Sequence, residues 1–304
     1  MEVIYGINKI RKIRKPVVAL GVFDGVHLGH RRILKAVVNK ARRINGTSVV
    51  VTFWPDPHRE ESLYSLEHRL RLIGDTGLKI CIVIKFNKTF SRISAGDFIK
   101  KIMVNKLAAQ YIYVGRNFRF GRQAKGDFNI LERFSHIHNF KLRLFDMVKV
   151  EGRTISSTYI RTLITKGKLS AAGKLLSRPV SVLGTVTKGI SLAKKLGFPT
   201  ANIDPHHEVL PPAGIYAVKI LFNNRRLQGV CFIGPKTTTP GHKKNFIVEV
   251  HIFGFNKNIY GQDIEVEFFH KIRNARKFHS QEALVRQVNR DIASAKKSLI
   301  FSLH

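Results

Sequence analysis

The hydrophobic rhythm of the chain changes once, near residue 178, and that change sets two kinds of architecture in series. From Val17 to about Leu176, short apolar runs alternate with amphipathic segments, as in a mainly parallel sheet with crossover helices. VVAL (17–20), SVVVTF (48–53), KICIVIKF (79–86) and YIYVG (111–115) are expected to be its strands, Val/Ile-rich because both faces are covered. Ile33, Leu34, Val37, Val38, Ala41 and Ile44 recur at helical spacing between the first two strands. Ser94 and Asp97 form a capping-box pattern ahead of Phe98, Ile99, Ile102 and Met103, and a third helix is expected from near Ser157 through Ile160, Leu163 and Ile164.

Beyond Arg178 the runs shorten, alternate, and are broken by Gly, Pro and Asn, which predicts an antiparallel barrel or sandwich. SVLGTVTKG, GIYAVKILF, LQGVCFIG, FIVEVHIFGF and IEVEFFHKI are its expected strands, with Asn223 and Asn224 turning one hairpin. Leu284, Val288, Ile292 and Ala295 then predict a closing helix. With no internal repeat and no low-complexity linker, the boundary falls near 175–182, giving domains 1–178 and 179–304.

A hydrophobic fraction of 44% over 304 residues is enough for a real core in each part. No apolar stretch approaches the ~18 residues of a membrane span, and the first residues lack the apolar block of a secretory signal, so a cytoplasmic location is expected. Cys81 and Cys231 both lie in apolar strand-like runs, where buried free thiols are commoner than disulfides or metal ligands. The balance of 53 Lys+Arg against 20 Asp+Glu, a net charge of +33, favours polyanions. Because the basic residues are spread along the whole chain, the expectation is a solvated basic surface with non-specific polyanion binding and no dedicated nucleic-acid site.

GVFDGVHLGH, residues 21–30, follows the first strand and precedes a helix. Its glycines, among them Gly21, Gly25 and Gly29, let a nucleotide approach the backbone while the helix N-terminus faces the phosphates. His27 and His30 meet at that turn, as two donors suited to a reaction that adds negative charge at an α-phosphate; the plainer reading is a pair of turn or core histidines. In GFPTAN, Thr200 and Asn202 are two apart, so both oxygen donors can point the same way in an extended segment, as magnesium coordination would need; turn residues look the same. Glu249 is an isolated acid between Val248 and Val250, either a proton acceptor for an attacking alcohol or an ordinary outward-facing strand residue.

GVFDGVHLGH, with VTFWPDPHR (51–59), VGRNFRFG (114–121) and ISSTYIR (155–161), resembles the nucleotidyltransferase half of the prokaryotic bifunctional riboflavin kinase/FAD synthetase family. GTVTKG, LGFPTANI, PAGIYAV, EVHIFGF, IYG and KIRNARKF follow in the order found in the kinase half, so the likeness runs from about residue 15 to 297. The resemblance implies an α/β, Rossmann-like HxGH nucleotidyltransferase domain, then a small antiparallel β-barrel with a C-terminal helix. It implies that riboflavin and ATP give FMN and ADP, and that FMN and ATP give FAD and diphosphate, with Mg2+. His27 and His30 would meet ATP phosphates within a turn that includes Phe23 and Asp24; Ser156, Ser157, Thr158 and Arg161 would complete the phosphate pocket, and Asn117, Arg119 and Gly121 would border the flavin. In the kinase half it implies Glu249 as base, Thr200 and Asn202 at magnesium and phosphate, and Arg273 at the flavin-side helix entry.

Two other readings remain from the sequence. The chain could be an adenylyltransferase whose barrel only binds flavin. It could also be an RNA-binding protein on a recycled nucleotidyltransferase fold, although it has neither an aromatic-rich RNA-binding signature nor a KMSKS-type loop.

Overall fold

In this computed structural model, residues 1–56, 62–188, 197–235 and 246–300 are described. Two compact units form, one of Met1–Ser62 with Leu66–Ser157 and the other of Leu63–Ser65 with Thr158–His304.

The first unit is laid out by its Val/Ile-rich strands. In chain order come β1 (Glu2–Tyr5), β2 (Pro16–Leu20), α1 (Leu28–Arg43), β3 (Thr47–Trp54), α2 (Leu66–Gly74) and β4 (Ile80–Lys85). Next are α3 (Ala95–Asp97), which runs into a π-helical stretch (Phe98–Lys106), then β5 (Tyr111–Gly115), α4 (Phe128–His138) and β6 (Lys141–Phe145). The short strands β7 (Lys149–Val150) and β8 (Arg153–Thr154) pair with each other. β1 to β6 form one sheet in the order β1-β4-β3-β2-β5-β6, parallel throughout. The chain therefore steps from β2 to β3 and β4 on one side and returns to β5 on the other. That reversal opens a crevice outside the carboxyl ends of β2 and β5, the position where open α/β sheets receive ligands.

Val18, Leu20, Val49, Val51, Ile82 and Ile112 make the centre of the core, and Phe98, Ile99, Ile102 and Met103 cover it from the π-helical stretch. Ser94 caps that element as the capping-box pattern predicts, accepting from the Asp97 amide at 3.0 Å and donating to its carboxylate at 2.8 Å. Gly121 admits no side chain, because its φ is +71° and an added Cβ would lie 2.7 Å from the Ala95 nitrogen. Gly121→Ala should therefore lower stability by about 1–3 kcal/mol, read as a fall in Tm.

The second unit holds α5 (Ser157–Thr165) from its second residue on, α6 (Leu169–Leu176), β9 (Val180–Thr187), β10 (Ala201–Asp204), β11 (Gly214–Phe222), β12 (Arg225–Pro235), β13 (Phe246–Ile252), β14 (Asp263–Arg273) and α7 (Gln281–Ile300). The six strands close an antiparallel barrel in the order β10-β13-β12-β11-β14-β9. Asn223 and Asn224 turn the β11–β12 hairpin with φ values of 48° and 60°, the left-handed pair a two-residue hairpin requires. α7 lays Ile292, Ala295 and Leu299 over Ile215, Ala217 and Val230 on the barrel's outer face.

β10, which takes in the end of GFPTAN, is a strand that no regular apolar pattern announces. Only Ile203 of its four residues is buried, so the apolar alternation is missing, yet its backbone pairs with both β9 and β13 and closes the barrel.

Candidate active sites

The turn between β2 and α1 is built from strained backbone that three side chains hold. Phe23, Gly25 and Val26 all have positive φ, at 56°, 80° and 39°, and for Val26 that is a conformation a β-branched residue rarely takes. The Thr52 hydroxyl and Arg69 Nη1 each donate to the Val22 carbonyl at 2.8 Å, and the Ser157 hydroxyl donates to the Asp24 carbonyl at 2.9 Å. Asp24 and His27 are buried as a result.

His27 is the N-cap of α1, and its Nδ1 accepts from the His30 amide at 3.4 Å. The two imidazoles stack, with centroids 3.6 Å apart and planes 18° off parallel, and Phe23 meets His30 edge-on at 5.3 Å. Gly29 makes room for this: a Cβ there would sit 3.2 Å from His27 Cε1, and one on Gly21 would sit 3.1 Å from the Phe23 ring. No acid lies in the first turn of α1, so no carboxylate of the helix itself opposes the positive end of its dipole.

On the next strand, Asn117 follows the end of β5 and folds back, its Oδ1 3.4 Å from where a Gly115 Cβ would lie. Arg119 is exposed and donates to the Phe118 carbonyl at 3.2 Å, beside the stacked rings of Phe118 and Phe120. The first unit thus brings together Gly21, Phe23, Asp24, Gly25, His27, Gly29, His30 and Ser157, with Asn117, Arg119 and Gly121 after the neighbouring strand. Ser156 directly precedes α5, whereas Thr158 and Arg161 on that helix belong to the second unit. Residues 57–59 of the VTFWPDPHR segment lie outside the described residues.

In the barrel, three of the candidate residues, Asn202, Glu249 and Arg273, fall on one row. Arg273 pairs with Ile215, Ile215 with Phe232, Phe232 with Glu249, Glu249 with Asn202, and Asn202 with Thr187. Cross-strand partners share a face, and this is the outer face that α7 partly covers, while Val248 and Val250 point inward. Glu249 is half-buried there, and desolvation pushes its carboxyl above the usual carboxylate range. His251, on the same face, donates from Nδ1 to the Pro199 carbonyl at 2.9 Å and ties the EVH strand to the PTAN segment. Thr200 and Asn202 line a cavity of about 310 Å³ with Pro199, Phe255, Lys257 and Tyr260.

Arg273 is committed elsewhere. Its guanidinium forks onto the Asp291 carboxylate of α7 at 2.7–3.1 Å, and Asp291 is only 2% exposed, so the pair pins the helix to the barrel. No local sequence pattern marks Thr52, Arg69, His251 or Asp291. The thiols sit where the apolar runs put them: both are buried and free, with burial pushing Cys81 up to about 12 and Cys231 also upward.

A FAD synthetase family model matches residues 9–159, and a riboflavin kinase family model matches residues 176–299. The chain is 37% identical to the bifunctional riboflavin kinase/FMN adenylyltransferase of Buchnera aphidicola subsp. Schizaphis graminum, over 98% of both chains. It is 32% identical to the Escherichia coli protein of the same description, over 98% of this chain and 97% of that one. A solved structure described as a macrolide-efflux protein from Streptococcus pneumoniae is similar with a TM-score of 0.80 and 28% identity, covering 96% of this chain and 97% of the other. Among the described residues, no helix is long and apolar enough to cross a membrane. With a family model on each part and relatives of this identity along nearly the whole length, the chain belongs to the bifunctional riboflavin kinase/FMN adenylyltransferase family.

Proposed function

We propose that the chain phosphorylates riboflavin to FMN in residues 179–304 and adenylylates FMN to FAD in residues 1–178. The observation that supports this reading is that the fold gathers two polar constellations by different means, a paired-imidazole turn at a helix start and a carboxylate facing an amide across a barrel ladder, each of a chemistry suited to phosphate.

In the adenylyl transfer, the FMN phosphate attacks the α-phosphate of ATP and diphosphate leaves. His27, His30 and the amides opening α1 would stabilise the added negative charge, with Ser156, Ser157, Thr158 and Arg161 as further phosphate donors and Asn117, Arg119 and Gly121 at the flavin side. In the kinase step, Glu249 would take the proton from the ribityl hydroxyl, and the cavity beside Thr200 and Asn202 would hold the nucleotide. Thr200 and Asn202 supply hard oxygen donors of the kind Mg2+ accepts alongside phosphates and water, so the residues present fit that ion. Its chemistry there would be to neutralise phosphate charge. Arg273 would act at the flavin side through the helix that it anchors.

We further place both reactions in the cytoplasm, where ATP is supplied, and assign the charge of +33 to non-specific polyanion association. Purified protein given riboflavin, ATP and Mg2+ should form FMN, then FAD with diphosphate. Failure to form either rejects the proposal, and FAD made only from supplied FMN would reduce it to an adenylyltransferase.

A further inference from the structure

The turn that carries His27 and His30 begins where the β2 ladder ends. Gly21 makes the last ladder contact, its amide donating to the Val51 carbonyl at 3.2 Å, and the next carbonyl, that of Val22, has no strand partner there. Both of its lone pairs are taken by side chains: the fully buried Thr52 hydroxyl of β3, and Nη1 of Arg69, which reaches in from α2 and is also fully buried. The same Nη1 lies 3.4 Å from the Phe53 carbonyl, so one guanidinium spans the carboxyl ends of β2 and β3, and it lies 5.1 Å from the Trp54 ring.

A turn with three positive-φ residues among four, Phe23, Gly25 and Val26, persists only when its surroundings over-determine it, and Val22 is the point from which that geometry starts. Thr52 alone would satisfy the carbonyl. The second donor brings a full positive charge into a fully buried position, and Nε and Nη2 have no hydrogen-bond partner among the described residues. The carboxylates of Asp24 and Asp56 act on the guanidinium through their charge alone, and burial pushes its pKa downward, although an arginine stays charged. For stability alone, an apolar residue of similar volume would serve as well or better. The charge gains a purpose when a polyphosphate arrives at the adjoining turn.

We propose that Arg69 is a positioning residue for adenylyl transfer: it fixes the Val22 carbonyl, and so the strained turn that aims His27 and His30, while its buried charge offsets that of the bound triphosphate. This rests on the adenylyltransferase reading above. Because the chain is expected to carry a second activity in the other unit, riboflavin phosphorylation serves as a control for folding in the same sample.

Arg69→Met and Arg69→Lys should be assayed for both reactions. With Met, kcat for FAD formation should fall about 100-fold, the loss expected when reacting groups are displaced by about an ångström, KM for ATP should rise because the charge that offsets the triphosphate is lost, and FMN formation should be unchanged. Lys keeps the charge and one donor, and should recover at least about tenfold of that loss. Met within about threefold of wild type, Lys no better than Met, or parallel loss of both reactions in both variants would each overturn the proposal, the last because it marks a residue needed only for folding. A wild-type chain that forms FMN but no FAD would instead sink the adenylyltransferase reading, and this role would fall with it.

Discussion

Glu249→Gln should cut FMN formation to a small residual rate while FAD formation from supplied FMN continues at the wild-type rate. Glutamine keeps the shape that packs between Phe232 and Asn202 on the barrel's outer row, and it cannot take a proton. A positioned base is worth roughly 10²–10⁴ in rate, so kcat for the kinase should fall by about that factor. Since burial raises the carboxyl's pKa, the rising limb of the kinase pH profile should lie above the ordinary carboxylate range, and the variant's residual activity should lack that limb. The same shift fixes the sign of the stability effect. A folded-state pKa above the unfolded value means that the group's stabilising contribution is present below the unfolded pKa and is lost as pH rises through the folded one. Wild type therefore carries an unpaid desolvation cost at pH 8 that glutamine avoids. The variant should melt higher than wild type at pH 8, and the difference should close at pH 4. A Gln variant that still makes FMN at more than a tenth of the wild-type rate would return Glu249 to an ordinary strand residue.

The sequence made the architecture legible wherever periodicity was strong. The runs at 17–20, 48–53, 79–86 and 111–115 became β2 to β5, and the helical repeats at Ile33–Ile44 and Ser157–Ile164 became α1 and α5. Weak or short patterns hid the rest. β1 and β6 are edge strands of four and five residues, and β10 has a single buried side chain, so its strand character comes from pairing alone. α2 was missed although Leu66, Leu72 and Ile73 share its buried face, because the side chain completing that face is Arg69, a residue that patterning assigns to solvent. Thr52 in an apolar run and Asp291 on a mostly polar helix were hidden for the same reason: a buried polar group is recognised by its partner, which lies elsewhere in the chain. The chemistry of Glu249 could be proposed from EVH, but its alignment with Asn202 and Arg273 is a matter of barrel register, which no local spacing encodes.

His27→Asn tests whether the paired imidazoles act or merely fill the turn. Asparagine is as good an N-cap as any residue, so the start of α1 should survive and Tm should stay within a few degrees of wild type. What disappears is the ring that stacks on His30, and with it a donor at the place where the α-phosphate gains charge. FAD formation should fall by about 10²–10³ in kcat, the usual cost of removing one preorganised donor, while FMN formation stays at the wild-type rate. The contact between the rings adds a sharper expectation. Groups that act as a unit lose nearly everything with the first removal, so the double variant His27→Asn with His30→Asn should be little slower than the worse single variant. Losses that multiply would mean that the two histidines contribute separately, and full activity in either single variant would mean that the turn holds them for packing alone.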